Sequence, residues 1–452
     1  MKYANFKDAG RSNVNIGDYL QFMAAEYLLQ LMNVPEDDIV HLGFQDLAQY
    51  DGEQVRFPFC YSIIDFVSDG KINISSKIKP IFFSVTLSTV DKFMDVGQFL
   101  DDTYNHAYLV EHGPIGCRDE VTYDMLTRHH IPAYLHGCMT AILPKSISHP
   151  GNQVLFVDAP TALLPYIPKS LLKNCTFSTQ QYYFEPSDIK DYKTMFAFVA
   201  KKYEGYWKTA KLAITSRLHV ALPLTAFGIP VILAKDSVDG RFSFIERYLP
   251  IYGKEHYQQI DWVPCVPDME QIKKLLITHA LGRIQENIAE LELQEMEHKL
   301  TRWFQTRRIE SQYQSSYMVT HTNGQRFDAY AAKYWSVDKS IQYAFWGISE
   351  NNLDYWKDHI KARYPRAELA AIFDSFREGS LLGFPYQRPE MLTCYPDLYI
   401  IVCSIGAAQA ARKLFKLQKL DPRRYCIVSD CFIQSEDVEG IISHDIYSDN
   451  SV

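Results

Sequence analysis

No run of about 18 apolar residues occurs anywhere in this 452-residue chain, so nothing in the sequence reads as a membrane span. The first residues, MKYANFKDAGRSNVNIGDYL, hold no continuous apolar stretch, and no signal peptide is expected. No long basic run offsets an excess of 54 acidic over 46 basic residues (formal charge −8), which disfavours nucleic acid as a partner. The nine cysteines, Cys60, Cys117, Cys138, Cys175, Cys265, Cys394, Cys403, Cys426 and Cys431, form no C-x-x-C pair, and their number is odd. Most lie in apolar, strand-like runs, so buried thiols are expected rather than disulfides or a zinc site. No other metal-ligand spacing is visible, since His129 and His130 are adjacent rather than four apart. These absences point to a cytoplasmic protein without metal or cofactor and with at most peripheral membrane contact. A homo-oligomer is compatible with them.

What is present suits large cores: 47% of residues are apolar and 14% aromatic. The most informative stretch is Lys211–Lys235, KLAITSRLHVALPLTAFGIPVILAK. Leu212–Thr215 reads as a strand. Val220–Phe227 is small and apolar and suits a helix packed on a sheet, with Pro223 expected in its first turn. Gly228 stops the helix, Pro230 keeps it from resuming, and Val231–Leu233 begins another strand. Ser216, Arg217, Leu218 and His219 therefore fall at a strand-to-helix junction. There, free N–H groups and the positive end of the helix dipole favour an anion, and Arg217 and His219 add charge-assisted donors.

Two further junctions resemble it. Asn15, Gly17 and Asp18 make a polar turn ahead of a helix from about Tyr19, either a plain cap or an anion or ribose contact. Ile115–Cys117 leads to Arg118 and Asp119, with Asp119 either capping the next helix or meeting a ligand hydroxyl. His112 and His136 flank that unit, with turn hydrogen bonding as the alternative to ligand contact. Arg241 lies in the loop 236–247, where substrate contact and a surface ion pair are about equally compatible with the sequence. Strands are expected at Asp38–Leu42, Tyr61–Val67, Pro80–Leu87, Ala107–Val110, Ile131–Leu135 and Gln153–Asp158, and a helix from Met195 to Trp207. Residues 145–152 read as a hinge, 268–311 as one or two long helices clamping the first two domains, and 312–336 as a linker. A third α/β domain of Rossmann type follows, with strands at Ile341–Trp346, Leu369–Phe373, Leu398–Cys403 and Tyr425–Val428. Asp374 falls where a ribose-binding acid would lie. The first turn, from Gly347 to Asn352, lacks the second and third glycines that admit a pyrophosphate, so a structural or docking role is expected.

NIGDYLQFMAAEYL, GPIGCRDEVTYDML with LHGCMTAILP, and ITSRLHVALPLTAFGIPVIL followed by DGRFS occur in that order. With these segments the chain resembles the polysaccharide pyruvyl transferase family over roughly residues 11–310. The resemblance departs from the family pattern at FVSDGKINIS, where Gly70 stands alone in place of a glycine-rich turn. It implies an α/β fold of two Rossmann-like domains in a GT-B-like arrangement, residues 1–148 and 149–311, ahead of the linker and a third domain at 337–452. It also implies a transferase of exopolysaccharide biosynthesis that moves the enolpyruvyl unit of phosphoenolpyruvate onto a sugar or lipid-linked saccharide as a pyruvate ketal. Arg118 and Arg217 would hold the donor carboxylate and phosphate, and His219 would be the acid-base residue. Asp119, Asn15, Gly17, Asp18, Ser216, Leu218, Arg241, His112 and His136 complete the candidate site. Two other readings use the same cleft: a GT-B glycosyltransferase with a nucleotide sugar, and a non-catalytic scaffold of polysaccharide assembly.

Overall fold

The computed structural model describes residues 2–7, 13–87, 95–145, 151–184, 191–236, 238–307, 309 and 319–438. The chain is mixed α/β with several parallel sheets, and it divides into a larger unit, residues 1–315 with 434–452, and a smaller one, residues 316–433. Within the expected hinge, residues 146–150 lie outside the described residues, as do residues 312–318 of the expected linker.

In the larger unit, β1 (Lys2–Phe6) is followed by the short β2 (Asn13–Asn15), α1 (Ile16–Leu31), β3 (Ile39–Leu42) and β4 (Val55–Phe59). The hairpin of β5 (Val67–Ser68) and β6 (Lys71–Ile72), with Gly70 in its turn, precedes β7 (Ile78–Phe82). Helices α2 (Val96–Asp101) and α3 (Thr103–Glu111) lead to β8 (Ile115–Cys117), α4 (Glu120–Arg128) and β9 (Ala133–Leu135). Strands β3-β1-β4-β7 form one parallel sheet, and β8 and β9 form a parallel pair. That pair meets the chain beyond β7 through a parallel bridge from Val85 to Cys117. Phe6, Phe22, Phe57 and Phe59 fill the face of the sheet beneath α1, with ring centroids of Phe6 and Phe57 4.6 Å apart.

Two strand expectations fail here. Tyr61–Val67 is largely an irregular segment with a single tight turn, Ile63–Phe66, and the strand is VRFPF at Val55–Phe59 instead. Pro58 argues against a central strand. Here, however, the ladder to β1 covers only Val55 and Arg56, so the missing N–H forfeits nothing on that side. Ala107–Val110 lies within α3, which Asp102 caps by accepting from the N–H groups of Tyr104 and Asn105. A four-residue apolar run does not by itself distinguish strand from helix, and the cap decides.

The second sheet begins with β10 (Gln153–Val157), then α5 (Lys169–Leu172), β11 (Cys175–Ser178), β12 (Gln181–Tyr183), α6 (Tyr192–Thr209), β13 (Ala210–Thr215), α7 (Leu218–Phe227), β14 (Val231–Lys235) and β15 (Ile251–Gly253). Its order is β11-β10-β13-β14-β15, all parallel. The chain reverses its winding between the neighbours β10 and β13, and crevices for ligands open at the C-terminal ends of strands at such a switch. β12 leaves this sheet and pairs antiparallel with β2, Gln181 opposite Asn15. Gly228 ends α7 in the left-handed region at φ 90°, as the sequence suggested.

The expected clamp is α8 (Glu270–Gln285) with α9 (Glu290–Thr306). Thr301 on α9 accepts from the Leu135 N–H (3.0 Å), and Lys273 on α8 donates to the Ala226 carbonyl at the end of α7 (2.6 Å). The helix pair thus bonds to the surroundings of both sheets. Phe304, fully buried on α9, lies against Gly137, where a Cβ would come within 2.4 Å of its ring.

In the smaller unit, α10 (Val319–Tyr334) occupies most of the expected linker. Its polar composition hides the buried pair Phe327 and Ala331, four residues apart on one face, and Arg326 anchors it to the Val428 carbonyl (2.9 Å). Next come β16 (Ile341–Trp346), α11 (Glu350–Arg363), β17 (Ala367–Phe373), β18 (Ser380–Leu381), β19 (Phe384–Gln387), β20 (Tyr399–Val402), α12 (Ile405–Leu417) and β21 (Tyr425–Ile427). The sheet runs β18-β19-β17-β16-β20-β21, and β18 alone is antiparallel to its neighbour. At its first turn, a Cβ on Gly347 would meet the Ser404 hydroxyl at 2.4 Å, so the close approach there serves packing of α12. The Asp374 carboxylate accepts from the N–H groups of Phe376 and Arg377, both at 2.9 Å. Local structure accounts for both features.

Gly137 has φ 71° besides its contact with Phe304. Gly137→Ala should therefore destabilise the larger unit by at least ~1–3 kcal/mol, read as a lowered urea midpoint with unchanged denaturant slope.

Candidate active site

The C-terminal ends of strands from both sheets of the larger unit open onto one cavity of about 290 Å3. Tyr61 and Ser62 follow β4, Thr86 lies beyond β7 and Arg118 follows β8. From the second sheet come Gln180 beyond β11, Ser216 and Arg217 after β13, and Lys235 at the end of β14, with Arg241 and Phe242 farther along. Two helix N-termini complete the wall: Asn15, Asp18 and Gln21 at the start of α1, and Leu218 and His219 at the start of α7. A second recess, about 540 Å3, is lined by Asp95, Val96, Gly97, Leu100, Met125, Arg128 and His129. It gathers none of the candidate residues and no comparable set of charges.

Arg118, Arg217, Lys235 and Arg241 bring four cationic groups to the cavity, against one lining carboxylate, Asp18. Three are oriented from behind by acids outside the lining. The Arg217 Nε donates to Asp158 at 2.7 Å. Asp158 follows β10, is buried with a left-handed backbone (φ 48°), and also accepts from the Gln180 N–H at 3.0 Å. The Ser216 hydroxyl donates to the Asp158 carbonyl at 2.7 Å, so one residue at the switch point fixes three parts of the wall. Arg241 grips Asp239 with two bonds of 2.8 Å each. Burial would raise the Asp239 carboxyl, but the bonds and charge of Arg241 outweigh it and hold the group below the usual carboxylate range. Arg118 is buried, its Nε 4.0 Å from Asp119 and its Nη1 3.5 Å from the Gln21 side-chain oxygen.

His219 is held on every side. A Cβ on Gly17 would lie 2.7 Å from the His219 Cβ, so only glycine lets α1 approach α7 this closely. The His219 Nδ1 is 3.6 Å from the Asp18 carboxylate, while Nε2 is buried without a hydrogen-bond partner. Pro223 sits in the second turn of α7, not in the first as expected. Lacking an N–H, it cannot bond the carbonyl four residues earlier, which is that of His219. The Tyr203 hydroxyl from α6 donates to that carbonyl instead, at 2.6 Å. Burial, then the charges of Arg118 and Arg241, push the imidazole down to about 3, so it is neutral in the empty cavity.

Of the sequence candidates, Asn15, Asp18, Arg118, Ser216, Arg217, Leu218, His219 and Arg241 line this one cavity, and Gly17 backs it. Three others are placed differently. Asp119 is fully buried and caps α4, accepting from the Thr122 N–H (2.9 Å) and from the hydroxyls of Thr122 (2.8 Å) and Thr86 (2.7 Å). It is engaged with the wall's support and not with the lumen. His112 ends α3 and packs tilted against Tyr108, with ring centroids 4.4 Å apart and planes at 55°. His136 is fully buried with Nδ1 3.1 Å from the Ser84 hydroxyl. Neither histidine lines the cavity. The residues missed were Gln21, Tyr61, Ser62, Thr86, Gln180, Lys235 and Phe242. Of these, Tyr61, Ser62, Thr86, Gln180 and Lys235 lie at or just beyond strand ends, so the rule that singled out Arg118 and Arg217 would have reached them had the strands been placed correctly. Among the described residues, no group of three or more His, Cys, Asp or Glu is arranged to hold a metal ion. No helix among them is long and apolar enough to cross a membrane, and all nine cysteines are free thiols.

Burial and the nearby His279 also push His136 down to about 3. Below pH 6.5 the unfolded chain binds protons at His136 and His219 that the folded chain refuses. The stability from keeping them neutral is thus complete above pH 6.5 and lost as pH falls toward 3. Each histidine should contribute about 1.4 kcal/mol of lost stability per pH unit over that window. Urea unfolding at pH 6, 5 and 4 should show it, and His219→Gln should flatten the slope by one histidine's share.

No family model matches this chain, and no curated protein matches it. Among solved structures, the chain is similar to a protein from Klebsiella pneumoniae described as a functional uncharacterized protein. Identity is 15% over 52% of this chain and 84% of that one, with a TM-score of 0.31.

Proposed function

We propose that the larger unit is a polysaccharide pyruvyl transferase that moves the enolpyruvyl unit of phosphoenolpyruvate onto a sugar as a ketal, its two sheets forming the halves of a GT-B-like arrangement. The observation that carries this reading is the convergence of Arg118, Arg217, Lys235 and Arg241 around His219 in one cavity. A small polyanion with a carboxylate close to a phosphate satisfies four such cations together, and arginine forks bind both groups bidentately. The volume of about 290 Å3 is at the low end for small-molecule pockets. That favours a compact donor over a nucleotide sugar, whose base and ribose would need room beyond these walls.

The chemistry assigns a role to each part. A proton from the His219 imidazolium adds to the methylene carbon, and positive charge develops on the neighbouring carbon. One acceptor hydroxyl attacks that carbon. The bond to the bridging phosphate oxygen then breaks, a second hydroxyl closes the ketal, and inorganic phosphate leaves. Of the two hydroxyl protons released, one restores the histidine and the other leaves with phosphate. Arg118 and Arg217 hold the donor and stabilise the departing phosphate from fixed positions, where reorganisation is small. Arg241 and Lys235 add to the same field, and Tyr61 and Ser62 lie beside it as contacts for the sugar. The acceptor is a sugar or lipid-linked saccharide of a cell-surface polysaccharide precursor, and the reaction takes place in the cytoplasm.

Phosphoenolpyruvate at 100 times its Kd should stabilise the protein by about 2.7 kcal/mol and raise its Tm. Stabilisation by a nucleoside diphosphate but not by phosphoenolpyruvate would turn the reading to a glycosyltransferase, and by neither to a scaffold. In a transfer assay with saccharide acceptors, Arg118→Ala and Arg217→Ala should each lose orders of magnitude, and His219→Gln about 10²–10⁴-fold. Full activity in these variants would overturn the site.

A further inference from the structure

Taking the proposed acid role of His219 as its basis, we propose that entry of a dianion into the cavity and protonation of His219 are one coupled event, with Asp18 as the residue that positions the resulting imidazolium.

The empty cavity confronts His219 with cations from several elements. Arg118 comes from the end of β8, Arg241 and Lys235 from β14 and the loop after it, and Arg217 is its near neighbour. The group facing it from α1 is the Asp18 carboxylate, 3.6 Å from Nδ1. Tyr203 of α6 binds the main-chain carbonyl, and Gly17 packs on the Cβ. The ring is therefore held in place while its charge state is left to the field. Nε2 is buried and has no hydrogen-bond partner among the described residues.

The same guanidinium groups that keep the ring neutral are the ones a dianion would neutralise. Burial, Arg118 and Arg241 hold the imidazole at about 3 in the empty site. An opposite charge within about 4–6 Å raises the pKa of such a group by about 1–3 units. Two negative charges entering between Arg118 and Arg241 act twice, once by screening the cations and once by attracting the proton directly. Asp18 then faces the Nδ1–H of the imidazolium. The acid is charged only when its substrate is present, which spares the empty site a fifth positive charge.

Sulfate tests this, because it stays a dianion from pH 5 to 8 and exchanges no protons of its own. Titration calorimetry of the full chain at pH 6, in MES and in bis-tris, reads proton uptake from the difference in heats between the two buffers. Wild type should take up a measurable fraction of a proton, up to about half, per sulfate bound. His219→Gln should bind sulfate with no uptake. Asp18→Asn should bind sulfate more tightly at pH 8, having lost the one lining carboxylate, yet take up less proton at pH 6. In wild type, and not in His219→Gln, the sulfate Kd should fall by up to tenfold per pH unit as pH drops from 6 toward 4. Sulfate binding without uptake in wild type, or equal uptake in His219→Gln, overturns the coupling, as does failure of wild type to bind sulfate. Displacement of sulfate by phosphoenolpyruvate is scored separately. Uptake with no displacement leaves the coupling standing and removes the donor assignment. Displacement without uptake leaves the donor assignment standing and removes the coupling.

Discussion

Four positive side chains around a space the size of a small metabolite repel one another, and the rest of the larger unit is arranged to hold them there. The counter-charges sit mostly behind the wall. Asp158 holds Arg217 and Asp239 holds Arg241, while Asp119 lies beside Arg118. Each acid is buried, so the pairs attract more strongly than exposed ones would, and each is tied to backbone or hydroxyl groups that keep it in place. The lining itself carries four cationic groups against the single carboxylate of Asp18, and the other acids lie behind it.

The backbone shows the same economy. Asp158 adopts a left-handed conformation at the point where the winding of its sheet reverses, and from there it organises Ser216, Arg217 and Gln180. Pro223 removes one helical bond, and Tyr203 supplies another to the freed carbonyl, so the histidine at the head of α7 is fixed from a separate helix. Gly17 lets α1 close on it from the opposite side. The left-handed Asp158 and the helical bond that Pro223 removes thus both lie next to Arg217 and His219.

Much of this was legible in the sequence. The small apolar residues of α7, its glycine stop and its flanking strands gave the central unit nearly to the residue, and the strand-to-helix junctions led to Arg118, Arg217 and His219. The sequence could not show depth. Asp119, His112 and His136 have the residue types and neighbours of ligands, but burial engages the first with threonine hydroxyls, packs the second against Tyr108 and encloses the third. Pro223 misled, because a hydroxyl from another helix compensates the carbonyl it leaves free in the second turn of α7. Composition concealed α10, whose buried face is only a few residues wide. Of the seven missed lining residues, five lie at or just beyond strand ends, while Gln21 on α1 and Phe242 in the loop after β14 are brought to the cavity by the tertiary arrangement.

The antiparallel pairing of Asn13–Asn15 with Gln181–Tyr183 takes a strand from beside one sheet and fastens it to a segment leaving the other. Asn15 caps α1 and Gln180 adjoins β12, so both strands of this staple border the lumen at the same end. Swinging the two sheets apart as rigid halves would mean unzipping three residue pairs at the rim of the binding space. The spacing of the cavity's walls is thereby fixed at that end by main-chain hydrogen bonds.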